Sequence, residues 1–296
     1  MKSVLPTVAL AAALPMCLAG CVVVDTQGHI AREEKRFTVT GVPDLKLTTF
    51  DGAIEIRSSD AKTVVVEIEK RGRTPEAIEQ LKVETRQDGN LIEVSVKRPG
   101  GDGEFFGFSG ISSTAKLIVT MPRAGNVTAR SGDGSIRIEH VSGKLELRTG
   151  DGSIRGTGIG GQITLATGDG SVTLDDAEGD IDVDTGDGSV SVAGTLGIVK
   201  LHTGDGSITF RAAPGTTMKD NWSLTTGDGG VSVYLPADFG AQLDAHTGDG
   251  AIRNELEIKT DGAGEISRRT VKGQLGAGGK TLRIRTGDGS VRLKTS

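Results

Sequence analysis

Thr149-Gly150-Asp151-Gly152-Ser153-Ile154 is one of eight near-copies of a single phrase, Ser/Thr-Gly-Asp-Gly-Ser/Gly/Ala-Ile/Val. The aspartates of these copies are Asp133, Asp151, Asp169, Asp187, Asp205, Asp228, Asp249 and Asp288, and the first five recur at one constant interval. A short fixed period marks a chain that stacks one small unit on the next instead of wrapping a single globular core. Counting from each aspartate, positions 3, 5, 12 and 14 are apolar, as in Ile136, Ile138, Leu145 and Leu147, or Val190, Val192, Val199 and Leu201. Such alternation predicts two strands per unit, each with one buried and one wet face. Gly143, Gly160 with Gly161, Gly179 and Gly197 mark the link between the two strands. The expected fold is all-β: a right-handed, two-sheeted β-solenoid of about 18 residues per coil, with rungs about 4.8 Å apart.

Working outward from the repeats, the spacing grows between Asp205 and Asp228, where Pro214 and Gly215 mark an insertion that leaves Trp222 and Leu224 in register. The long gap from Asp249 to Asp288 reads as a degenerate rung with Leu256 and Ile258 plus a polar excursion. Leu282, Ile284, Val291 and Leu293 then close the stack. Upstream, Phe50-Asp51-Gly52-Ala53-Ile54 is a worn copy of the phrase, and Val64–Ile68, Leu91–Val96 and Leu117–Val119 alternate like strands. Thr74 and Pro75 open one short helix whose apolar face is Ala77, Ile78 and Leu81. Four regions follow: a signal over 1–20, a lipidated tether over 21–35, a strand-rich N-terminal cap over 36–125, and the repeat solenoid over 126–296.

The chain up to Cys21 gives an address. Lys2 precedes an apolar run from Val4 to Leu18 that ends in Leu18-Ala19-Gly20-Cys21. The run is too short to span a bilayer, and the small residues before the cysteine suit a lipoprotein signal peptidase. Cys21 is the predicted lipid acceptor, holding the chain at a membrane on the extracytoplasmic side by several acyl chains. Val22 after it permits outer-membrane sorting in a host with two membranes. Cys17 leaves with the signal, so no disulfide or thiolate metal site is expected. Lys2 is the only charged residue ahead of Cys21, and the remainder carries 33 basic and 39 acidic side chains, a net of −6. That mildly acidic balance lacks the clustered cations that nucleic acid requires.

The combination of a lipobox, an N-terminal strand region and repeated Thr-Gly-Asp-Gly-Ser-Ile rungs, with Gly276-Ala277-Gly278-Gly279 before the last strand, resembles a bacterial β-strand-repeat family whose members carry the provisional name of adhesin and have no known function. The resemblance covers roughly residues 36–296. It implies an envelope protein, here a lipid-anchored one, and supplies no catalytic residues.

Stacking places the aspartates in a column about 4.8 Å apart, where neighbouring charges repel by about 0.9 kcal/mol in water. Two accounts offset this. Each carboxylate accepts hydrogen bonds from its own Gly-Ser turn, or Ca²⁺ ions bridge the rungs. Ile154 stands where the calcium nonapeptide wants aspartate, so structural turn chemistry is the preferred reading. Asp180, Asp182 and Asp184 form a weak alternative calcium site on an outward face, where the repeat register sets Lys200 beside Asp182. Gly156, Gly158 and Gly161 match a dinucleotide fingerprint, and Gly279-Lys280-Thr281 the end of a phosphate loop, but a strand follows each where a helix is required. His29, His140, His202 and His246 form no metalloprotease motif, and His202 and His246 fall two rungs apart in one column, too far to share a zinc. No cofactor is expected. The sequence therefore points to a non-enzymatic envelope protein that uses a solenoid surface for adhesion or scaffolding toward an envelope partner or surface ligand. Three alternatives stay open: an accessory or sensory subunit of an envelope-stress system, a calcium-binding surface protein, and a polysaccharide-active β-helix enzyme. Phe105, Phe106 and Phe108 either cover the apolar end of the stack or form a contact site.

Overall fold

The computed structural model describes residues 21–25, 28–98, 113–260 and 264–296, the first of these as backbone alone. Its 24 strands are hydrogen-bonded into one continuous β-solenoid-like sheet, with a single five-residue helix among the described residues. The repeat dictates the pairing. Ile136 lies opposite Ile154, Val172 opposite Val190, and Val190 opposite Ile208, always in parallel ladders and one repeat on. A second series of ladders runs Leu145 to Ile163 to Ile181 to Val199. Because the side-chain period is two, this register puts every apolar position of the phrase on one face. Ile136, Ile138, Leu145, Leu147, Val172, Leu174, Val190 and Leu201 are all buried. Each such side chain taken fully from water is worth about 1.5–3 kcal/mol.

Trp222 absorbs the insertion at Pro214 and Gly215. It stays in register opposite Leu282 and is buried, with its indole N–H donating to the Gly197 carbonyl at 2.8 Å. The rings of Phe210 and Phe239 pack against it at centroid distances of 5.3 and 5.4 Å. This aromatic cluster fills the widened coil, in a stack whose other repeats are filled by aliphatic side chains.

The sequential order of coils fails at both ends. The strands Asp44–Thr48 and Ile54–Ser59 do not form the outermost rung. They lie between Leu91–Lys97 and Ser113–Pro122 on one side and Asn126–Arg130 and Ile136–Glu139 on the other. Likewise Thr281–Thr286 and Val291–Thr295 do not close the stack. They are inserted between the Trp222–Thr226/Val231–Leu235 rung and the Ala241–Thr247/Ile252–Asn254 rung. Both the first and the last copies of the phrase are thus interior rungs.

Antiparallel strands cover the two ends. At the N-terminal end, Gly28–Thr38 pairs with Thr63–Gly72, which pairs with Ser113–Pro122, while Lys82–Asp88 pairs with Leu91–Lys97. The predicted helix is Pro75–Glu79, capped by Thr74, whose hydroxyl accepts the Ala77 N–H at 3.3 Å. The C-terminal end has a cap that the sequence reading did not foresee. Thr270–Leu275 runs antiparallel along Ala241–Thr247, and Glu265–Ile266 pairs with it. Leu256 and Ile258 lie outside the strands and pack against the core from this cap instead of forming a rung.

The segment 21–35 also departs from expectation. It is not a loose tether, because Cys21–Asp25 pairs with Gly28–Thr38, which belongs to the sheet. Charge pairing replaces apolar alternation there. Arg32 donates to Glu69 at 2.9 and 2.8 Å, and Lys70 to Glu33 at 2.7 Å. Residues 1–20 and Phe105, Phe106 and Phe108 lie outside the described residues.

Candidate functional surface

The turn that carries the repeated phrase is built by threonine and glycine. Thr203 is completely buried and its hydroxyl donates to the carbonyls of Gly186 at 3.2 Å and Gly188 at 2.9 Å on the neighbouring rung, while accepting the Gly206 N–H at 3.2 Å. Thr149, Thr167, Thr185, Thr226, Thr247 and Thr286 make the same pair of donations to the two glycines of the rung beside them. The first glycines form a backbone ladder, in which Gly186 N–H donates to Gly168 O at 2.7 Å and Gly204 N–H to Gly186 O at 2.6 Å. Turns stacked this closely leave no room for a side chain at the second glycine: a Cβ on Gly206 would stand 2.1 Å from the Gly188 carbonyl oxygen.

The aspartates play a different part from the one expected. Asp133, Asp151, Asp169, Asp187, Asp205, Asp228, Asp249 and Asp288 are exposed, and none of their carboxylates accepts a hydrogen bond from its own turn among the described residues. The buried threonine hydroxyl does that work. Packing therefore fixes the threonine and the two glycines, while the aspartate is the one residue of Thr-Gly-Asp-Gly that packing does not require. In space the column runs Asp205, Asp228, Asp288, Asp249, following the inserted last rung.

On one face the outward residues of successive rungs are Glu146, Thr164, Asp182, Lys200, Ser223, Arg283, Asp244 and Lys272. Two residues along the strands, a second column reads Arg148, Ala166, Asp184, His202, Thr225, Arg285, His246 and Thr270. His202 and His246 are three rungs apart in this column, not two, because Arg285 lies between Thr225 and His246. Asp180 is occupied, accepting the Ile198 N–H at 3.1 Å and pairing with Lys219 at 3.2 Å. Asp182 and Asp184 are exposed on the face. Among the described residues no group of three or more His, Cys, Asp or Glu side chains is placed to hold a metal ion.

Two of the carboxylates embedded in cations are Asp244 and Glu69. Asp244 pairs with Arg285, with Arg283 at 3.7 Å and with Lys272 at 3.9 Å. Burial pushes its carboxyl up, but the Arg285 hydrogen bond and the three positive charges outweigh this and hold it below the usual carboxylate range. Glu69 behaves likewise in the N-terminal cap, where burial is outweighed by hydrogen bonds from Arg32 and Arg71. Both are structural ion clusters. Among the described residues, grooves of about 450 Å³ lie beside Arg148, Ala166, Asp184 and His202, of about 600 Å³ between Met218, Phe239 and Lys280, and of about 600 Å³ between Phe50, Lys97 and Arg130.

The sequence profile of the Toastrack DUF4097 family matches residues 42–294. The chain belongs to this family. The Toastrack match takes in the inserted rungs at both ends. Among solved structures, a protein of Parabacteroides distasonis, provisionally named as lipid binding, aligns at 13% identity over 89% of this chain and 96% of its own, with a TM-score of 0.51. A provisionally named adhesin of Bacteroides fragilis aligns at 12% identity over 88% and 96%, with a TM-score of 0.45. A provisionally named cell adhesion protein of Clostridium sporogenes aligns at 14% identity over 90% and 99%, with a TM-score of 0.29. The likeness to the P. distasonis protein is one of fold. No curated protein matches the sequence.

Proposed function

We propose that this Toastrack protein is a non-enzymatic, lipid-anchored envelope protein that presents its stack as a surface for adhesion or scaffolding. In this reading the stack is a right-handed solenoid of two sheets, each coil spanning one repeat of the Thr-Gly-Asp-Gly phrase. The observation that carries the proposal is the ladder of outward polar side chains, regular over eight rungs from Glu146 to Lys272. Such a face suits an extended partner better than a small substrate, which calls for a concave pocket. The Leu18-Ala19-Gly20-Cys21 sequence supports the anchor. A specific observation also favours the second reading, an accessory or sensory subunit of an envelope-stress system. Sheet pairing of Gly28–Thr38 leaves little slack after Cys21, which holds the stack close to the membrane.

Fractionation of cells expressing Cys21→Ser tests the anchor. The variant is expected to leave the membrane fraction and lose lipid label, and retention of both would overturn lipidation at this residue. Crosslinking in intact cells separates the two roles: a surface ligand outside the cell supports adhesion, and one stoichiometric membrane protein supports the subunit reading.

A further inference from the structure

Charge is segregated along the chain. Residues 156–250 carry three basic and 14 acidic side chains, whereas 251–296 carry ten basic and five acidic. Insertion of the last rung brings part of that basic segment onto the same face as the acidic rung. Arg283 and Arg285 then stand three rungs from Asp182 and Asp184, about 14 Å along the stack. We propose that this face is self-complementary and joins two copies of the chain face to face, with their stacks antiparallel, about a two-fold axis that runs parallel to the strands between the Lys200 and Ser223 rungs.

The ladder order supports this placement rung by rung. Such an axis preserves position along the strand and reverses the order of rungs, so each column meets itself. Asp182 then faces Arg283 of the second copy and Asp184 faces Arg285, while Glu146, already paired with Arg148 and Arg130 of its own chain, faces Lys272. Lys200 faces Ser223 and His202 faces Thr225, so no like charges meet in the two central columns. Ala166, at the groove it lines with Arg148, Asp184 and His202, faces the exposed His246. Asp182 and Asp184 have no cation within 4.0 Å among the described residues, whereas Arg283 and Arg285 share Asp244 with Lys272. Acid without a partner on one rung and surplus base on another are what a second copy would neutralise. Eight rungs of about 4.8 Å and strands of about 20 Å give on the order of 750 Å² per copy, close to a standard interface side. A contact this polar owes its affinity to charge and weakens with salt. The inference rests on the reading of the face as a presenting surface and not on the lipid anchor, so a solution measurement can fail here without touching the membrane test above.

The experiment is sedimentation equilibrium of residues 22–296, which retain the whole stack, at 50 and 500 mM salt. A dimer at low salt that dissociates at least tenfold more readily at high salt is expected. Asp182→Lys with Asp184→Lys is expected to weaken it at least tenfold, since these side chains touch nothing that folding needs. Arg283→Glu with Arg285→Glu should weaken it too, and an equimolar mixture of the two double variants should restore a mixed dimer, because each pairs both sets of charges in the other. A chain that stays monomeric at 100 μM in low salt, or a dimer indifferent to the lysine variant, overturns the proposal. Should the glutamate variant fail to fold, Asp182→Cys with Arg283→Cys replaces it and leaves the Arg285–Asp244 pair in place. The two positions are too far apart within one chain for a disulfide, so the proposed pairing is expected to give a covalent dimer whose crosslink, located by peptide mass mapping, joins the aspartate position of one copy to the arginine position of the other, and the absence of that crosslink under oxidation counts against the two-fold.

Discussion

A Cβ added to Gly188 would lie 2.0 Å from the carbonyl oxygen of Gly170 on the neighbouring rung. The obstacle is backbone: the Gly170 carbonyl accepts the Thr185 hydroxyl at 3.1 Å and the Gly170 N–H donates to the Thr167 hydroxyl at 3.3 Å, so it cannot rotate away. Gly188→Ala is therefore expected to cost about 4 kcal/mol or more, in the range of severe overpacking and broken backbone networks. Gly89→Ala is the control. Its φ of +59° carries strain, but nothing lies within 4 Å of the added carbon, so the cost should be about 1–2 kcal/mol. Urea melts of the two variants separate close approach from backbone conformation.

Thr203→Val keeps shape and removes the hydroxyl that serves Gly186, Gly188 and Gly206. Burying those groups with fewer partners is expected to cost about 1–3 kcal/mol. Asp187→Ala, at an exposed residue whose carboxylate accepts no turn hydrogen bond among the described residues, should stay within about 0.5 kcal/mol of the parent. A larger loss for the aspartate than for the threonine would reverse the roles assigned to them. Calorimetry with and without a chelator adds a second reading, and a shift of many degrees would mark the aspartate column as a calcium site.

Val190 is buried and Ser191 beside it is exposed. Val190→Asp places an unpaired carboxylate in the core and is expected to cost several kcal/mol, whereas Ser191→Asp should be nearly neutral. Equal melting temperatures for the two would refute the alternation.

Asp244 ties stability to pH. Its folded carboxyl titrates below the unfolded value of about 3.9, so its contribution is complete above that value and is lost as pH falls through the lower folded value. Asp244→Asn should therefore be less stable than the parent by a constant amount near neutral pH, with the gap closing only in acid. A gap that widens on acidification would mean the sign is wrong.

Much of the fold was legible because Ile181 and Val183 alternate with Asp180, Asp182 and Asp184, and alternation of that kind has one physical meaning. Rung order was not legible. Val231, Val291 and Ile252 occupy equivalent positions of near-identical phrases, so nothing local states that Val291 sits between the other two. Gly28–Thr38 escaped notice because its sheet is held by pairs such as Arg32 with Glu69, whose charges hide the period of two. Thr203 was missed for a related reason, since a buried threonine at a strand end reads like an exposed one. The signal lay in its recurrence before Gly-Asp-Gly.

The interleaved termini change what truncation means for this chain. In an ordinary repeat array, loss of the last unit shortens the object by one coil and leaves the remainder intact. Here, removing residues 281–296 would take out an interior course and leave a slot the width of one strand, lined by the freed edges of Trp222–Thr226 and Val231–Leu235 on one side and Ala241–Thr247 and Ile252–Asn254 on the other. Opposed unpaired edges accept any extended chain of suitable length. The C-terminal segment thus works as a keystone, and a clipped molecule would be an open receptor for strands, including the keystone of its neighbour.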